Sequence, residues 1–429
     1  LLAADPLAPA ERRLKILFTE GASLSARQSL YALGGRHTID ILDPDPLCQC
    51  RFSTHVRRWI RSPHFAREPE EFLRFLATQL EKQEYDILFP THEQVYLLSR
   101  FRDVVGRSVG LALPTFEAMD QMQNKAHFTR VLAELDLPYP ETQFVRSRED
   151  LLGKWRYPFF LKLAHSTAGA GVFHILCEQQ LEQQANALQE SGFFNGTREV
   201  LVQQPARGVQ ATIQAVFQRG QLVGCHSFDA RQLGVGGMSA ARVSADHPIV
   251  REQITTLGSH IQWHGSMFVD YFYDYDTGQP EYIECNPRVG ETVNAWLSDV
   301  NICELLARVS TNEQVNPTTL GKSGLQTQSF FMILMTLAHE GAGRWRLAQE
   351  WLNRLAKRGI YRDSQDELTR PGDDVLSVIP LWWVSLQLLA WPGLAKRIVA
   401  KTVKNYSLPE TATEIIKAIP LDRFDDLYR

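Results

Sequence analysis

The stretch Tyr282-Ile283-Glu284-Cys285-Asn286-Pro287-Arg288 places a carboxylate, a carboxamide and a guanidinium at alternate positions of the chain. On an extended strand alternate side chains share a face, so residues 284, 286 and 288 would point to the same side. Carboxylate and amide oxygens bind hard cations such as Mg²⁺, and a guanidinium binds phosphate or carboxylate. The stretch therefore predicts a strand face that holds a divalent cation beside an anion.

A second carboxylate, Asp270, lies in another predicted strand, Met267-Phe268-Val269-Asp270-Tyr271-Phe272. The connection at 273–280 (Tyr-Asp-Tyr-Asp-Thr-Gly-Gln-Pro) has the composition of a hairpin turn. A hairpin would bring Asp270 beside Glu284 and form, with Asn286, a site suited to Mg²⁺ and nucleotide phosphates. The alternative is an edge hairpin whose charged side chains face water.

Length and composition indicate a multi-domain globular protein. A chain of 429 residues predicts two to four domains, and its 44% apolar and 22% charged residues are ordinary for this class. A net charge of −4 without a long basic run excludes nucleic acid as a main partner. The six cysteines form no CxxC pair, and residues 1–13 lack a signal pattern, so we expect reduced thiols and a cytoplasmic protein.

Strands and helices alternate in the leading part of the chain, which predicts a doubly wound parallel sheet. The predicted strands and helices there cover 14–21, 23–33, 38–43, 69–83 and 85–90. No GxGxxG motif is present, so a dinucleotide site is poorly supported. Thr91-His92-Glu93 follows the last of these strands and is a candidate substrate-facing spot, although the start of a helix after Pro90 would also explain it.

The middle of the chain has an α+β pattern. Two lysines and then a polar connector between strands, at 203–210, follow one another along this part of the sequence. Lys125 lies in a predicted helix, 116–135, and Lys162 ends a predicted strand just before a loop of small residues at 165–172. A lysine beside such a loop can bind nucleotide phosphates while the loop's N–H groups cover them. An ordinary turn and a solvated surface lysine are the alternatives. A helix near 178–190 and strands at 199–204, 211–218 and 221–227 complete this region.

Two stretches near the C-terminal end, 325–339 and 375–395, contain no Asp, Glu, Lys or Arg. The second is 21 residues long, which is enough to span a bilayer. Two prolines, a glycine, a glutamine and two serines argue against a span. We expect a buried core helix there, with a helix on a membrane surface and a membrane span as alternatives.

The order of these features resembles the ATP-grasp superfamily, of the carboxylate–amine ligase kind related to biotin carboxylase and the carbamoyl-phosphate synthase large subunit. The resemblance covers 14–308 and rests on Lys125, Lys162 with its glycine loop, the connector at 203–210, Asp270 and the Glu284–Arg288 stretch. It implies an α/β plus α+β chain: a leading α/β domain at 14–115, ATP-grasp lobes at 116–204 and 205–309, and a mostly helical region at 310–429.

The resemblance also implies a role for each matching residue. The groups for ATP would be Lys125, Lys162, Ser166, Thr167, Gly169 and Gly171 at the phosphates, with Gln203, Gln204, Ala206 and Gln210 at adenine and ribose. Two Mg²⁺ ions, replaceable by Mn²⁺, would bind Asp270, Glu284 and Asn286. Arg288 would hold the γ-phosphate or a substrate carboxylate, and Arg231 or Arg242 would neutralise the transferring phosphoryl group.

The sequence departs from the family pattern at several of these positions. Gln203 and Gln210 stand where the family usually has Glu, Leu163 stands where Pro is common, and Asp270 replaces the commoner Glu. Glutamine still donates and accepts hydrogen bonds, and Asp is a good Mg²⁺ ligand. We therefore expect weaker ATP binding, with the metal ligands intact.

The implied activity is that of an ATP-dependent ligase that makes an acyl phosphate from a carboxylate and transfers the acyl group to an amine. Its partners would be ATP and small-molecule carboxylate and amine substrates. Two copies of the chain could form a homodimer, and we expect no membrane contact. The alternatives are a thiol, hydroxyl or bicarbonate acceptor, a non-catalytic ATP-binding scaffold, and a membrane-associated protein built around the C-terminal apolar helices.

Overall fold

The computed structural model describes residues 12–165, 171–194, 198–315, 319–368 and 374–428. Three sheets and the helices around them organise these residues. No helix among them is both long and apolar enough to cross a membrane. The six cysteines are all free, as the sequence predicts.

The leading region forms the predicted parallel sheet, with strands in the order β3-β2-β1-β4. Strands β1, β2 and β4 are buried almost throughout, which is typical of a parallel sheet covered by helices, whereas the edge strand β3 carries three arginines and is partly exposed. Leu73 and Leu76 of the first long helix after β3, for example, are fully buried against the sheet. The elements are β1 (Lys15–Phe18), α1 (Leu24–Leu33), β2 (Thr38–Asp43), β3 (Val56–Arg61), α2 (Pro69–Lys82), β4 (Ile87–Phe89), α3 (Gln94–Arg100) and α4 (Arg102–Val105).

The next region contains an antiparallel sheet with strand order β5-β8-β6-β7. Phe159 and Leu161 of β6 face a small apolar core, and the alternation of the strand turns Phe160 and Lys162 to the other face. This alternation is what brings Lys162 to the site. The elements are α5 (Phe116–Gln123), α6 (Lys125–Glu134), β5 (Thr142–Val145), α7 (Arg148–Leu151), β6 (Phe159–Leu163), β7 (Val172–Ile175), α8 (Glu178–Glu190) and β8 (Val200–Gln203).

A larger sheet follows, in the order β13-β12-β9-β10-β11-β15-β16, with β14 paired to β10. Burial alternates residue by residue along β12, as expected for a strand with one face on the core. The elements up to residue 310 are β9 (Val209–Gln218), β10 (Gln221–Leu233), β11 (Ser239–Ala245), α9 (Pro248–His260), β12 (Gly265–Asp274), β13 (Gln279–Asn286), α10 (Val293–Leu297) and α11 (Ile302–Ser310).

The C-terminal region is mostly helical, as predicted, and it also completes the large sheet. Strand β15 pairs antiparallel with β11, and β16 pairs parallel with β15, so part of the stretch at 325–339 is strand and not helix. The elements are β14 (Thr319–Leu320), β15 (Gln326–Gln328), α12 (Phe330–His339), α13 (Arg344–Leu355), β16 (Ser364–Asp366), α14 (Val375–Ala390), α15 (Leu394–Tyr406) and α16 (Glu410–Ala418).

The expectation of a buried core helix at 375–395 is wrong. Helix α14 buries Leu381 and Leu388, but Val375, Ile379 and Trp383 are each about 60% exposed, at 63%, 58% and 62%. Only one face of the helix packs on the rest of the chain, because the other face has no covering element among the described residues.

Candidate active site

The predicted hairpin of acidic residues is confirmed. Strands β12 and β13 pair antiparallel, and Asp270 lies directly opposite Glu284. The register shifts between Asp270 and Tyr271, where the pairing passes over Ile283. Such a bulge re-aims side chains, and here both Ile283 and Glu284 line the same cavity. The alternative of a water-facing edge hairpin is therefore wrong.

Asp270 is held in place by two hydrogen bonds. Thr212 Oγ1 donates to Asp270 Oδ1 at 2.6 Å, and Asn286 Nδ2 donates to Asp270 Oδ2 at 3.2 Å. Burial, with a further contribution from the neighbouring Glu284 carboxylate, raises the pKa of Asp270 to about 7. Two carboxylates forced together away from water favour a bound cation, which would relieve both the desolvation and the repulsion.

The oxygens at this hairpin fit a divalent cation in chemical type. Asn286 accepts at Oδ1 from Arg288 Nη2 at 3.1 Å, so this oxygen would exchange partners if it bound a metal. Across the described ranges, no group of three or more His, Cys, Asp or Glu could hold a metal ion. A cation here would therefore rest on two carboxylates, one carboxamide and oxygens supplied by a ligand.

Two buried lysines face the acidic pair. Lys125 begins α6, which Asn124 caps by accepting from the N–H groups of residues 126 and 127, and its Nζ lies 3.2 Å from Glu284 Oε1. Lys162 Nζ donates to Gln203 Oε1 at 2.5 Å. With relative exposures of 4% and 6%, neither is the solvated surface lysine that the sequence left open.

Burial lowers the pKa of Lys162 to about 8, and Lys125 nearby adds to the effect. The hydrogen-bond partner of Lys162 is a neutral carboxamide, which cannot offset the desolvation of an ammonium group as a carboxylate would. Gln203 is itself fixed, because its Nε2 donates to Thr142 Oγ1 at 2.9 Å.

The connector between the two lobes lies along one wall of the cavity. Gln204, Pro205 and Ala206 line it directly. Gln210, at the start of β9, reaches across and donates from Nε2 to the carbonyl of Gly237 at 2.9 Å. The glycine turn at 236–237, which has positive φ at both residues, therefore lies within reach of the connector.

Arg288 links the hairpin to the leading parallel sheet. Its Nε donates to Glu93 Oε1 at 3.1 Å, and its guanidinium lies over the Phe268 ring at 5.0 Å. Glu93 makes no side-chain cap bond to α3, and His92 lines the cavity. Burial, with Arg288 nearby, holds the pKa of His92 well below its ordinary value. Of Thr91-His92-Glu93, only His92 lines the cavity, and α3 also begins directly after this stretch, at Gln94, so both explanations of the motif apply.

The structure does not bring Arg231 and Arg242 to the cavity. Arg231 is exposed on β10, and neither residue belongs to the cavity lining. Arg242 is buried between Glu291, at 3.1 Å, and Glu367, at 3.2 Å. Two carboxylates pair with Arg242 here, one of them on the cavity-lining residue Glu291, and a role of Arg242 at the transferring phosphoryl group stays a prediction.

Nine of the predicted site residues line one cavity of about 460 Å³. They are Lys162, Gln203, Gln204, Ala206, Gln210, Asp270, Glu284, Asn286 and Arg288. Lys125 reaches the same place through Glu284, while Gly171 pairs its carbonyl with the N–H of Leu163 and is not part of the lining. Ser166, Thr167 and Gly169 lie outside the described residues.

Several lining residues were not predicted from the sequence. Thr212 supports Asp270, and Glu291 follows Arg288 at the far end of the cavity. Ser23, Leu24 and Ser25, at the start of α1, form part of the wall that the leading domain contributes. Thr212 lies opposite Asp270 where β9 pairs with β12, so a prediction of that strand pairing would have identified it. The residues of α1 could not be identified in this way, because only the tertiary fold brings α1 to the cavity.

Solved structures with the same fold are found by comparison. N5-carboxyaminoimidazole synthetase from Staphylococcus aureus, complexed with ADP, has a TM-score of 0.59 at 14% identity, over 84% of this chain and 94% of its own. L-amino acid ligase from Bacillus licheniformis has a TM-score of 0.53 at 15% identity, over 72% and 78%. The biotin carboxylase domain dimer of Hydrogenobacter thermophilus 2-oxoglutarate carboxylase, with MgADP, ADP and bicarbonate, has a TM-score of 0.57 at 13% identity, over 72% of each chain.

At these identities the similarity concerns the fold. No family model matches the sequence, and no curated protein matches it.

Proposed function

We propose, from the ATP-grasp fold that this chain has, that it is an ADP-forming ligase that activates a carboxylate with MgATP and passes the acyl group to an amine. One observation carries the proposal: the paired carboxylates Asp270 and Glu284 face Lys125 and Lys162 in a single cavity. A site for a nucleoside triphosphate requires carboxylates that bind Mg²⁺ and, opposite them, cationic side chains that bind the phosphates.

In this proposal ATP lies between the two lobes. The connector at 203–206 and Gln210 would hold adenine and ribose, while Lys125 and Lys162 would bind the phosphates. A contribution of Ser166, Thr167, Gly169 and Gly171 at the phosphates stays a prediction from the sequence. Asp270, Glu284 and Asn286 would hold two Mg²⁺ ions, or Mn²⁺. The ions would supply charge neutralisation between the phosphate oxygens and the incoming carboxylate.

The reaction is an attack of one anion on another, so most of the catalysis is positioning and charge. A substrate carboxylate oxygen attacks the γ-phosphorus, the β–γ bond breaks, and ADP leaves. The amine then attacks the acyl carbon, and phosphate leaves with the oxygen that came from the carboxylate. Arg288 is suited to orient the carboxylate, because Glu93 and Asn286 fix its guanidinium from two sides.

The acceptor would enter from the leading-domain side of the cavity. Ser23, Ser25 and His92 are lining residues from that domain, and Glu291 also belongs to the lining. A neutral histidine fits an amine acceptor, because its ring nitrogen can accept a hydrogen bond and then the proton that the attacking amine loses. Glu291 already pairs with Arg242 at 3.1 Å, so His92 carries this argument.

A screen of carboxylates and amines for phosphate release tests the proposal. We expect release of ADP and phosphate only when a carboxylate, MgATP and an acceptor are all present. Release that never depends on an added carboxylate would contradict the ligase proposal. Protein that binds MgATP but releases no phosphate with any pair would favour a non-catalytic scaffold.

A further inference from the structure

Helix α14 turns a row of large apolar side chains to solvent. The buried face carries Ser377, Leu381, Ser385 and Leu388, each with at most 4% exposure. The solvent face is formed by residues three or four apart that are all large and apolar, with exposures from 46% to 63%: Val375, Leu376, Ile379, Trp382, Trp383 and Leu386. A helix folded only against its own chain in water would show the opposite pattern.

The apolar surface extends beyond this helix. Trp345, Leu352 and Leu355 of α13 are 91%, 64% and 72% exposed, and Trp391 just after α14 is 63% exposed. The two helices are in contact, since the rings of Trp351 and Trp382 meet edge-on at 5.4 Å. Ten of the twenty large apolar residues exposed in the described part of the chain lie between 345 and 391, so exposure is concentrated here and is not a scatter of single residues.

The charges beside this surface are mainly positive, although Asp363 is exposed next to Arg362. No Asp or Glu occurs from 375 to 409. Helix α15, which follows α14 directly, exposes its cations at positions 396, 397, 401 and 404, which share one helical face. Near the end of α13 the exposed cations are Lys357, Arg358 and Arg362. Lys401 makes a salt bridge of 3.2 Å with Asp45 and still keeps 65% of its side chain exposed.

We propose that the surface formed by the exposed residues of α13, α14 and α15, with Trp391, docks on an anionic lipid surface, with α14 lying in the plane of the interface. Tryptophans and aliphatic side chains beside lysines and arginines are the composition of interfacial helices. The apolar face would enter the acyl boundary, and the flanking cations would contact lipid phosphates.

A second copy of this chain fits the surface less well. A two-fold contact would place the same cations of both copies around one apolar patch, and like charges at such a rim oppose association. An anionic bilayer satisfies the apolar face and the cations together. The proposal does not depend on the reaction at the cavity.

Sedimentation of the full chain with vesicles tests the proposal. We expect binding to vesicles of phosphatidylcholine mixed with phosphatidylserine, much weaker binding to phosphatidylcholine alone, and release as salt is raised. The double variant Trp382→Ser/Trp383→Ser should lower the partition coefficient about tenfold or more. The double variant Lys396→Gln/Arg397→Gln should lower it about 25-fold, at roughly fivefold for each charge.

Matched controls change equivalent exposed residues elsewhere. Leu176→Ser/Leu421→Ser removes two exposed apolar residues, and Lys82→Gln/Lys154→Gln removes two exposed cations, both away from this surface. Neither should alter vesicle binding. Thermal melting of every variant confirms that the chain is folded.

Two results would overturn the proposal. The first is a wild-type chain that does not bind to anionic vesicles. The second is a wild-type dimer that becomes a monomer on Trp382→Ser/Trp383→Ser without any vesicle binding, which would assign the surface to a second copy. If the wild-type chain binds anionic vesicles but shows no MgATP turnover with any substrate pair, that result would count against the ligase proposal and not against this one.

Discussion

At the scale of single residues, the cavity is a balance between two carboxylates and two buried lysines. Glu284 is central to it, because its carboxylate lies opposite Asp270 in the hairpin and 3.2 Å from Lys125 Nζ. The Glu284 carboxylate would therefore contact both the bound cation and the lysine that binds phosphate.

We therefore expect Glu284→Gln to reduce turnover by about 10³-fold or more while the melting temperature stays near that of the wild type. The amide keeps the shape of the side chain and removes only its charge. Rates of ADP formation under saturating MgATP measure the effect. The matched control Glu252→Gln, on the exposed side of α9, should be close to wild type; near-normal turnover of Glu284→Gln would refute the site assignment.

The pair Lys162 and Gln203 predicts a pH dependence of nucleotide binding. The pKa of Lys162 is lowered from 10.5 to about 8 in the free protein, so the ammonium form is lost as pH rises through that value. Phosphate favours the charged form, so MgATP binding above pH 8 should take up a proton, and affinity should fall as pH rises.

Calorimetry in buffers of different ionisation enthalpy measures this uptake. We expect a value approaching one proton per nucleotide near pH 9. Near pH 7 we expect net release of a proton, because the pKa of Asp270 is about 7 and a bound cation would displace its proton. Gln203→Glu should raise the pKa of Lys162 and shrink the uptake at pH 9, because a carboxylate would stabilise the ammonium group. Equal proton uptake at both pH values would contradict this assignment.

At the scale of elements, the connector at 203–206 is the feature that would read the base. Its residues line the cavity at the end of β8 and directly after it, and a fixed pattern of backbone N–H and C=O groups there would complement one base edge. MgATP should therefore raise the melting temperature more than MgGTP at equal concentration. Equal shifts would show that the connector does not select the base.

Elements with a strong periodic pattern were predictable from the sequence. Alternation along β12 and β13 placed Asp270 opposite Glu284, and the order of the lysines and connector placed them around that hairpin. The pairing of Arg242 with Glu367 was not predictable, because the two residues are far apart in sequence and meet only through β11 and the strands β15 and β16. The outward face of α14 was not predictable either, because a sequence without charges does not reveal which side of a helix is covered.

At the scale of the whole molecule, the C-terminal region packs on two other parts of the chain, the large sheet and the leading domain. Strands β15 and β16 extend the large sheet beyond β11. The last residues return to the leading domain, where Tyr428 Oη donates to the Leu73 carbonyl at 2.5 Å and Phe424 meets Phe101 edge-on at 5.2 Å. The region is a structural part of the chain and not a tail.

Deletion of residues 310–429 should therefore give insoluble or aggregated protein. It would leave β11 as an exposed edge and remove the apolar side chains that α16 buries in the leading core. Soluble expression and size-exclusion chromatography measure the outcome. A truncated chain that stays soluble, monomeric and able to bind MgATP would show that the region is a separate appendage.

The activation of a carboxylate is tested most directly by the fate of its oxygen. With a substrate pair found by the screen, the carboxylate is labelled with ¹⁸O and the released phosphate is analysed by mass spectrometry. We expect one ¹⁸O atom in each phosphate, because an acyl phosphate transfers one carboxylate oxygen to phosphorus when the acceptor displaces it. Phosphate without label, formed together with ADP and product, would contradict the proposed mechanism.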